Sequence, residues 1–122
     1  MSHTIETLLT RNLQEVFGEG DPDRRRAAVA DLFTEDAVFY DPQAIHQGRD
    51  AIAHIAGVIR ATHPDFRYTE IGAAETLHGE AGRLRWVSGR PGEPPAYAGT
   101  DVIVARDGRI AALYLFFDPL PA

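Results

Sequence analysis

The chain has 122 residues, is 44% hydrophobic and 25% charged, and carries a net charge of −6. Those values suit one globular domain spanning 1–122, and the acidic balance leaves no basic footprint for nucleic acid or an anionic membrane. All twelve basic residues are Arg and there is no Cys, which excludes Schiff-base lysines, thiol nucleophiles, disulfides and Cys-held zinc. The Arg, Ala, Gly and Pro usage points to a GC-rich bacterial coding background, a statement about codons rather than chemistry. The longest apolar run, Ile110 to Phe117, has eight residues, too few to span a bilayer as a helix. The opening "MSHTIETLL" has no signal-peptide pattern, so the expected compartment is the cytoplasm.

Apolar residues at 5, 8, 9, 13, 16 and 17 predict a first helix with one buried face. "GEGD" ends it. Asp21 then caps a second helix with Pro22 at its first position, where a missing N–H does no harm. The "RRRAAV" run inside it is flanked by Asp21, Asp23 and Asp31 and reads as a solvated face. Ala37 to Asp41 predicts a short strand ending in a carboxylate, followed by Pro42 and a polar loop. A third helix begins near Gly48 and carries Ile52, Ile55, Val58 and Ile59 until "THPD" stops it.

After Pro64 the period changes to two. Phe66–Leu77, Arg83–Ser88, Tyr97–Arg106 and Arg109–Phe117 predict four strands, and Asp107-Gly108 is a hairpin turn between the last pair. Helices grouped ahead of an antiparallel meander imply an α+β fold. A curved, mostly antiparallel sheet closed by three helices would leave an apolar, cone-shaped cavity.

The last two strands are apolar on both faces. An antiparallel sheet wet on one side would show polar residues there. The expectation is a homodimer packed through the outer face by Val102, Val104, Tyr114 and Phe116. Asp101 interrupts this apolar pattern on the side of Gly99 and Ile103. Either it faces the cavity as a second carboxylate beside Asp41, or it pairs with an arginine or caps a loop at the strand's mouth. Burial raises a carboxyl pKa, and two acids in unequal surroundings can divide into an ionised base and a neutral donor. Such a pair could take a proton α to a carbonyl and stabilise the enolate.

"LFTEDAVFYDP", the helix start "GRDAI" and the late strand "GTDVIVARDGRI" resemble the nuclear transport factor 2-like (SnoaL-like) superfamily. Its members include ketosteroid isomerases and polyketide cyclases. The resemblance runs from about Ile5 to Asp118 and implies the cystatin-like cone described above. It implies Asp41, in the Asp41-Pro42 pair, as general base and Asp101 as the protonated oxyanion donor. The family's second donor is a tyrosine on the first helix; its place falls on Leu13. Losing one oxyanion donor typically costs about 10²–10³ in rate, which speaks against steroid isomerisation itself. Epoxide hydrolases of this fold carry a basic residue two positions before such an Asp; here Gly99 stands there.

The expected pocket residues besides the two acids are Tyr40, His46, Ile55, Trp86, Tyr97, Leu113 and Phe117. Tyr40 or Tyr97 could supply the missing hydroxyl. His54 and His78 have no partner at metal-ligand spacing, so no metal is expected, and no cofactor. The combined expectation is an isomerase-, cyclase- or lyase-type enzyme moving protons on an apolar carbonyl ligand. The alternative is a non-catalytic ligand-binding or accessory protein of the same fold.

Overall fold

A computed structural model describes residues 2–121. The first helix, α1 (Ile5–Arg11), starts at Thr4, whose side chain accepts the Thr7 N–H. It continues without a break into a π-helical turn, Asn12–Phe17. There the Gly18 N–H reaches back to the Leu13 carbonyl at 2.9 Å, one residue farther than an α-helix would. The wider turn brings Asn12 and Leu13 inward together, and both are buried.

Asp21 caps α2 (Pro22–Leu32) through the Asp23 N–H. This helix passes directly into β1 (Phe33–Tyr40), which starts four residues before the sequence pattern predicts and ends one before Asp41. The extra residues, Thr34 to Asp36, sit in a register irregularity that the alternation does not encode. A short strand, β2 (Ile45–Gln47), pairs back onto the end of β1. Three residues of mixed polarity give no strand signal, and the sequence reads as a loop there. Gly48 adopts φ +88 and opens α3 (Arg49–Thr62), a conformation that favours glycine.

Strands β3 (Arg67–Leu77), β4 (Ala81–Gly89), β5 (Tyr97–Arg106) and β6 (Arg109–Asp118) form the expected meander. Asp107 and Gly108 both take positive φ in the last hairpin, the geometry that suits the twist of paired strands. The six strands form one open sheet in the order β2-β1-β6-β5-β4-β3. Every pairing is antiparallel except β1 with β6. The architecture is thus α+β, three helices against a curved mixed sheet.

The helices cover one sheet face, and the core lies between. Leu8, Leu9, Leu13 and Val16 from the first helix meet Phe33, Phe39, Leu84, Ile103 and Leu113 from the sheet. The other face is left open by a single chain: Val104 and Phe116 are 42% and 57% exposed. No described helix is long and apolar enough to cross a membrane.

Candidate active site

A cavity of about 240 Å³ opens between the first helix, the end of α3 and the concave sheet. Its sheet wall is built by cross-strand neighbours. Tyr68 stands opposite Ser88, Ser88 opposite Tyr97, and Trp86 opposite Gly99. Gly99 has a steric purpose. A Cβ there would lie 2.4 Å from Trp86 Cζ2, so only glycine lets the indole lie flat across β5. From that position Trp86 Nε1–H donates to Asp101 Oδ1 at 3.1 Å.

Asp101 is 5% exposed. Burial pushes its carboxyl up to about 7, and the Trp86 N–H, which favours the ionised form, offsets this only in part. Its Oδ2 receives none of the protein's hydrogen bonds among the described residues. Tyr68 shares the cavity, its ring edge-on to Trp86 at 5.1 Å. Burial and then the Asp101 charge hold its hydroxyl up at about 12, while the Arg60 charge works the other way. Tyr68 is therefore a neutral O–H donor over the whole working pH range. The sequence pattern does not single it out, because β3 reads as exposed on both sides; its pairing with Ser88 is the signal that could have found it.

Of the residues expected from sequence, Trp86, Tyr97, Asp101, Leu113 and Phe117 line the cavity, and so does Leu13, the position to which the sequence resemblance assigns a tyrosine. Asp41, Tyr40, His46 and Ile55 do not. Tyr40 lies on the other face, stacked on Tyr114 at 4.7 Å. Ile55 packs against the core beneath α3. Of the two tyrosines expected to supply a hydroxyl, only Tyr97 reaches the cavity, at its mouth, where it is 44% exposed.

Asp41 departs furthest from expectation. Its Oδ1 accepts the N–H groups of Gln43 and Ala44 at 2.7 and 2.8 Å, and His46 Nε2 lies 2.8 Å from Oδ2. Partial burial pushes its carboxyl up, but His46 and the two backbone N–H groups outweigh that and hold it below the usual range. The turn chemistry of the Asp-Pro loop has captured the side chain. His46 stacks on Phe39 at 5.4 Å, and Phe39 in turn borders the cavity. The two acids therefore do not meet in one chamber. Among the described residues no group of three or more acids and histidines is placed to hold a metal.

Residues 10–113 match the SnoaL-like domain, SnoaL_2. The chain belongs to the SnoaL-like family. No curated protein matches this SnoaL-like domain, but many solved structures do. A SnoaL-like family protein of Agrobacterium tumefaciens str. C58, assigned provisionally as an isomerase, is 28% identical. The alignment covers 93% of this chain and 96% of that one, with a TM-score of 0.84. A Sinorhizobium meliloti protein assigned provisionally as a polyketide cyclase is 23% identical over 89% and 93% of the two chains, TM-score 0.67. A de novo designed protein with a curved β-sheet superposes with TM-score 0.70 at 13% identity, over 94% and 85%. The last two similarities, below 25% identity, show the fold alone, and a fold does not fix a chemistry; the chemistry has to be argued from Asp101 and its surroundings.

Proposed function

We propose that this SnoaL-like domain is a cofactor-independent proton-transfer enzyme of the isomerase or cyclase class, acting on an apolar carbonyl compound. The observation that carries the reading is one carboxyl, Asp101, buried at the deep end of an aromatic cavity and poised to titrate near neutrality. A base with a pKa close to the working pH balances availability against driving force. In the ionised form, Asp101 takes a proton from the carbon α to the substrate carbonyl. The C–H electron pair moves into the ring or chain, and the carbonyl oxygen becomes an enolate that accepts the Tyr68 O–H. Where the carbonyl is β,γ-unsaturated, the dienolate takes the same proton back from Asp101 at Cγ and the double bond ends between Cα and Cβ, an isomerisation with no net proton change. For a cyclisation the enolate carbon attacks a second carbonyl instead, and Asp101 protonates the alkoxide so formed. Trp86 keeps one Asp101 oxygen occupied and so directs the other at the substrate. This reading assigns to Asp101 the role that the sequence resemblance gives to Asp41, because Asp41 is held by its own loop.

The test is a ligand screen by thermal shift, followed by hydrogen–deuterium exchange NMR on each carbonyl hit. Asp101→Asn should bind the hit and lose at least about 10²-fold in exchange rate. Exchange in that variant as fast as in the parent removes Asp101 as the base. A second reading, a ligand-binding protein without turnover, is favoured by Leu13 in place of a hydroxyl donor. It predicts hits whose α-protons exchange no faster than in buffer.

A further inference from the structure

We infer that the preferred ligand is a planar compound of one or two rings that bears an acidic group at the end remote from its reacting carbonyl. This deepens the proposed function and rests on it. Two features of the cavity carry the inference. The first is a continuous aromatic path from mouth to base. His63 stacks on Phe66 at 4.2 Å; Phe66 lies 6.1 Å from Tyr97, Tyr97 6.4 Å from Phe117, Phe117 6.4 Å from Trp86, and Trp86 5.1 Å from Tyr68. Flat rings gain most from such walls, through offset and edge-on contacts. The volume, about 240 Å³, lies below the roughly 300–1,000 Å³ of sites for drug-sized ligands. That suits one or two rings rather than four fused ones.

The second feature is the charge at the mouth. Arg60 lines the cavity and, among the described residues, has no carboxylate within ion-pair distance. Its nearest acidic neighbour in sequence, Asp65, is taken by Arg90 at 2.8 Å. The Arg60 guanidinium is held in place by the Phe66 and Pro64 carbonyls at 2.7 and 2.8 Å. Those bonds fix its geometry and leave its positive charge unneutralised. Arg60 and Asp101 line the same cavity, so a ligand held there meets both groups. A planar guanidinium pre-positioned beside aromatic walls is suited to a carboxylate. The net charge of −6 repels anions at long range, so affinity for an acid must come from this local pairing.

Trp86 is the chain's one tryptophan and lies on the cavity wall, so its fluorescence reports occupancy directly. The probes are 6-acetyl-2-naphthoate, with ketone and carboxylate at opposite ends, and 2-acetonaphthone, the neutral ketone. The keto acid should bind about five- to tenfold more tightly, as expected for a partly exposed, well-oriented ion pair. The advantage should shrink as salt is raised from 20 to 500 mM. Arg60→Gln should erase the gap while leaving ketone affinity within about twofold. Arg60→Lys, which keeps the charge but not the planar fork, should retain part of it. If Arg60→Gln fails to fold, the salt series and Arg60→Lys decide the question. A keto acid that binds no more tightly than the ketone, or a gap that survives Arg60→Gln, overturns the inference. Asp101→Asn separates the two levels. If ketone exchange depends on Asp101 but the acid gives no advantage, the proposed function stands and this inference falls. If neither probe perturbs Trp86 at millimolar concentration, this inference falls, while the proposed function is decided by the ligand screen and the Asp101→Asn exchange measurement.

Discussion

At the scale of single residues, the decisive term is the cost of ionising Asp101 away from water. The folded chain holds its proton up to a pH of about 7, while an unfolded aspartate releases it near pH 4. Between those values the folded state binds more protons than the unfolded one, so stability falls as pH rises. At about 1.4 kcal/mol per unit the loss reaches about 4 kcal/mol by neutrality. The groups with depressed values, among them Asp31, Asp36 and Asp41, act in the opposite sense, in the acidic range below about pH 4. The two windows do not overlap. Thermal melts of the parent should therefore drop from pH 5 to pH 8, and Asp101→Asn, which keeps the acceptor for Trp86, should melt almost independently of pH. A parallel fall in both proteins would mean that Asp101 is not the group that titrates. The other titratable side chains on the cavity are Tyr68, Tyr97, His63 and Arg60. His63→Gln, at the mouth, is the control and should leave the slope intact. Activity, by contrast, should rise with pH to half its maximum near 7, because the base must be ionised. Asn12 is a second site of stored cost. It is fully buried in the π-helical turn, and its side-chain oxygen and nitrogen find no partner. An unsatisfied buried polar group costs about 1–3 kcal/mol. Asn12→Leu, similar in size, should raise the melting temperature, and a lower one would show that the amide is satisfied after all.

At the scale of elements, the site depends on how β4 and β5 meet. Trp86 faces Gly99 and Leu84 faces Asp101, so the indole reaches its acid by a diagonal across the pair. Gly99→Ala forces the ring off β5 or the strands apart, and overpacking of this kind costs about 1–3 kcal/mol. It should also break the Nε1 bond, visible as a shifted Trp86 emission and a change in the Asp101 pKa followed by NMR. An unchanged emission spectrum would refute the flat-packed geometry. The same strands explain what could be read from sequence. Side-chain alternation is local and exact in period, so it groups Asp101 with Ile103, Trp86 with Leu84, and Leu113 with Phe117, whereas which side faces the cavity follows for Trp86 from the family resemblance and across strands from the register. Asp41 follows the same parity as Phe39, yet it lies past the last residue of β1. There an Asx turn, not the strand, decides where the carboxylate points. Tyr68 fails the test for a different reason: its strand carries Arg67, Thr69 and Glu70 around it and looks wet on both sides. Only the curvature that folds β3 over β4 brings the ring inside. The helices were readable from their 3.6-residue spacing, but the π-helical turn was not. Its one extra residue depends on packing against α2 and α3 rather than on any local propensity.

At the scale of the molecule, the uncovered sheet face asks for a partner. Val102, Val104, Tyr114 and Phe116 alternate with the residues that face inward, and Val104 and Phe116 remain 42% and 57% exposed in one chain. Tyr40 extends the patch by its stack on Tyr114. Arg83 and Arg85 lie on the same outer side, exposed at its edge, the polar rim that a specific interface carries. A second copy meeting this patch about a two-fold axis would cover the same residues on both chains, which is the dimer we propose. Each Phe buried is worth about 1.5–3 kcal/mol and the symmetry counts it twice, so Phe116→Glu should weaken association by about 10²–10⁴-fold. Sedimentation velocity at micromolar concentration should give twice the 13.4 kDa chain mass for the parent and the single mass for the variant. The inward residue Phe117 is left untouched, so Trp86 fluorescence titrations should give the same ligand affinity in both. That second measurement separates a lost interface from a lost fold, since an unfolded variant would bind nothing. A parent that sediments as a monomer across that range would leave the face bare and the proposed dimer without support.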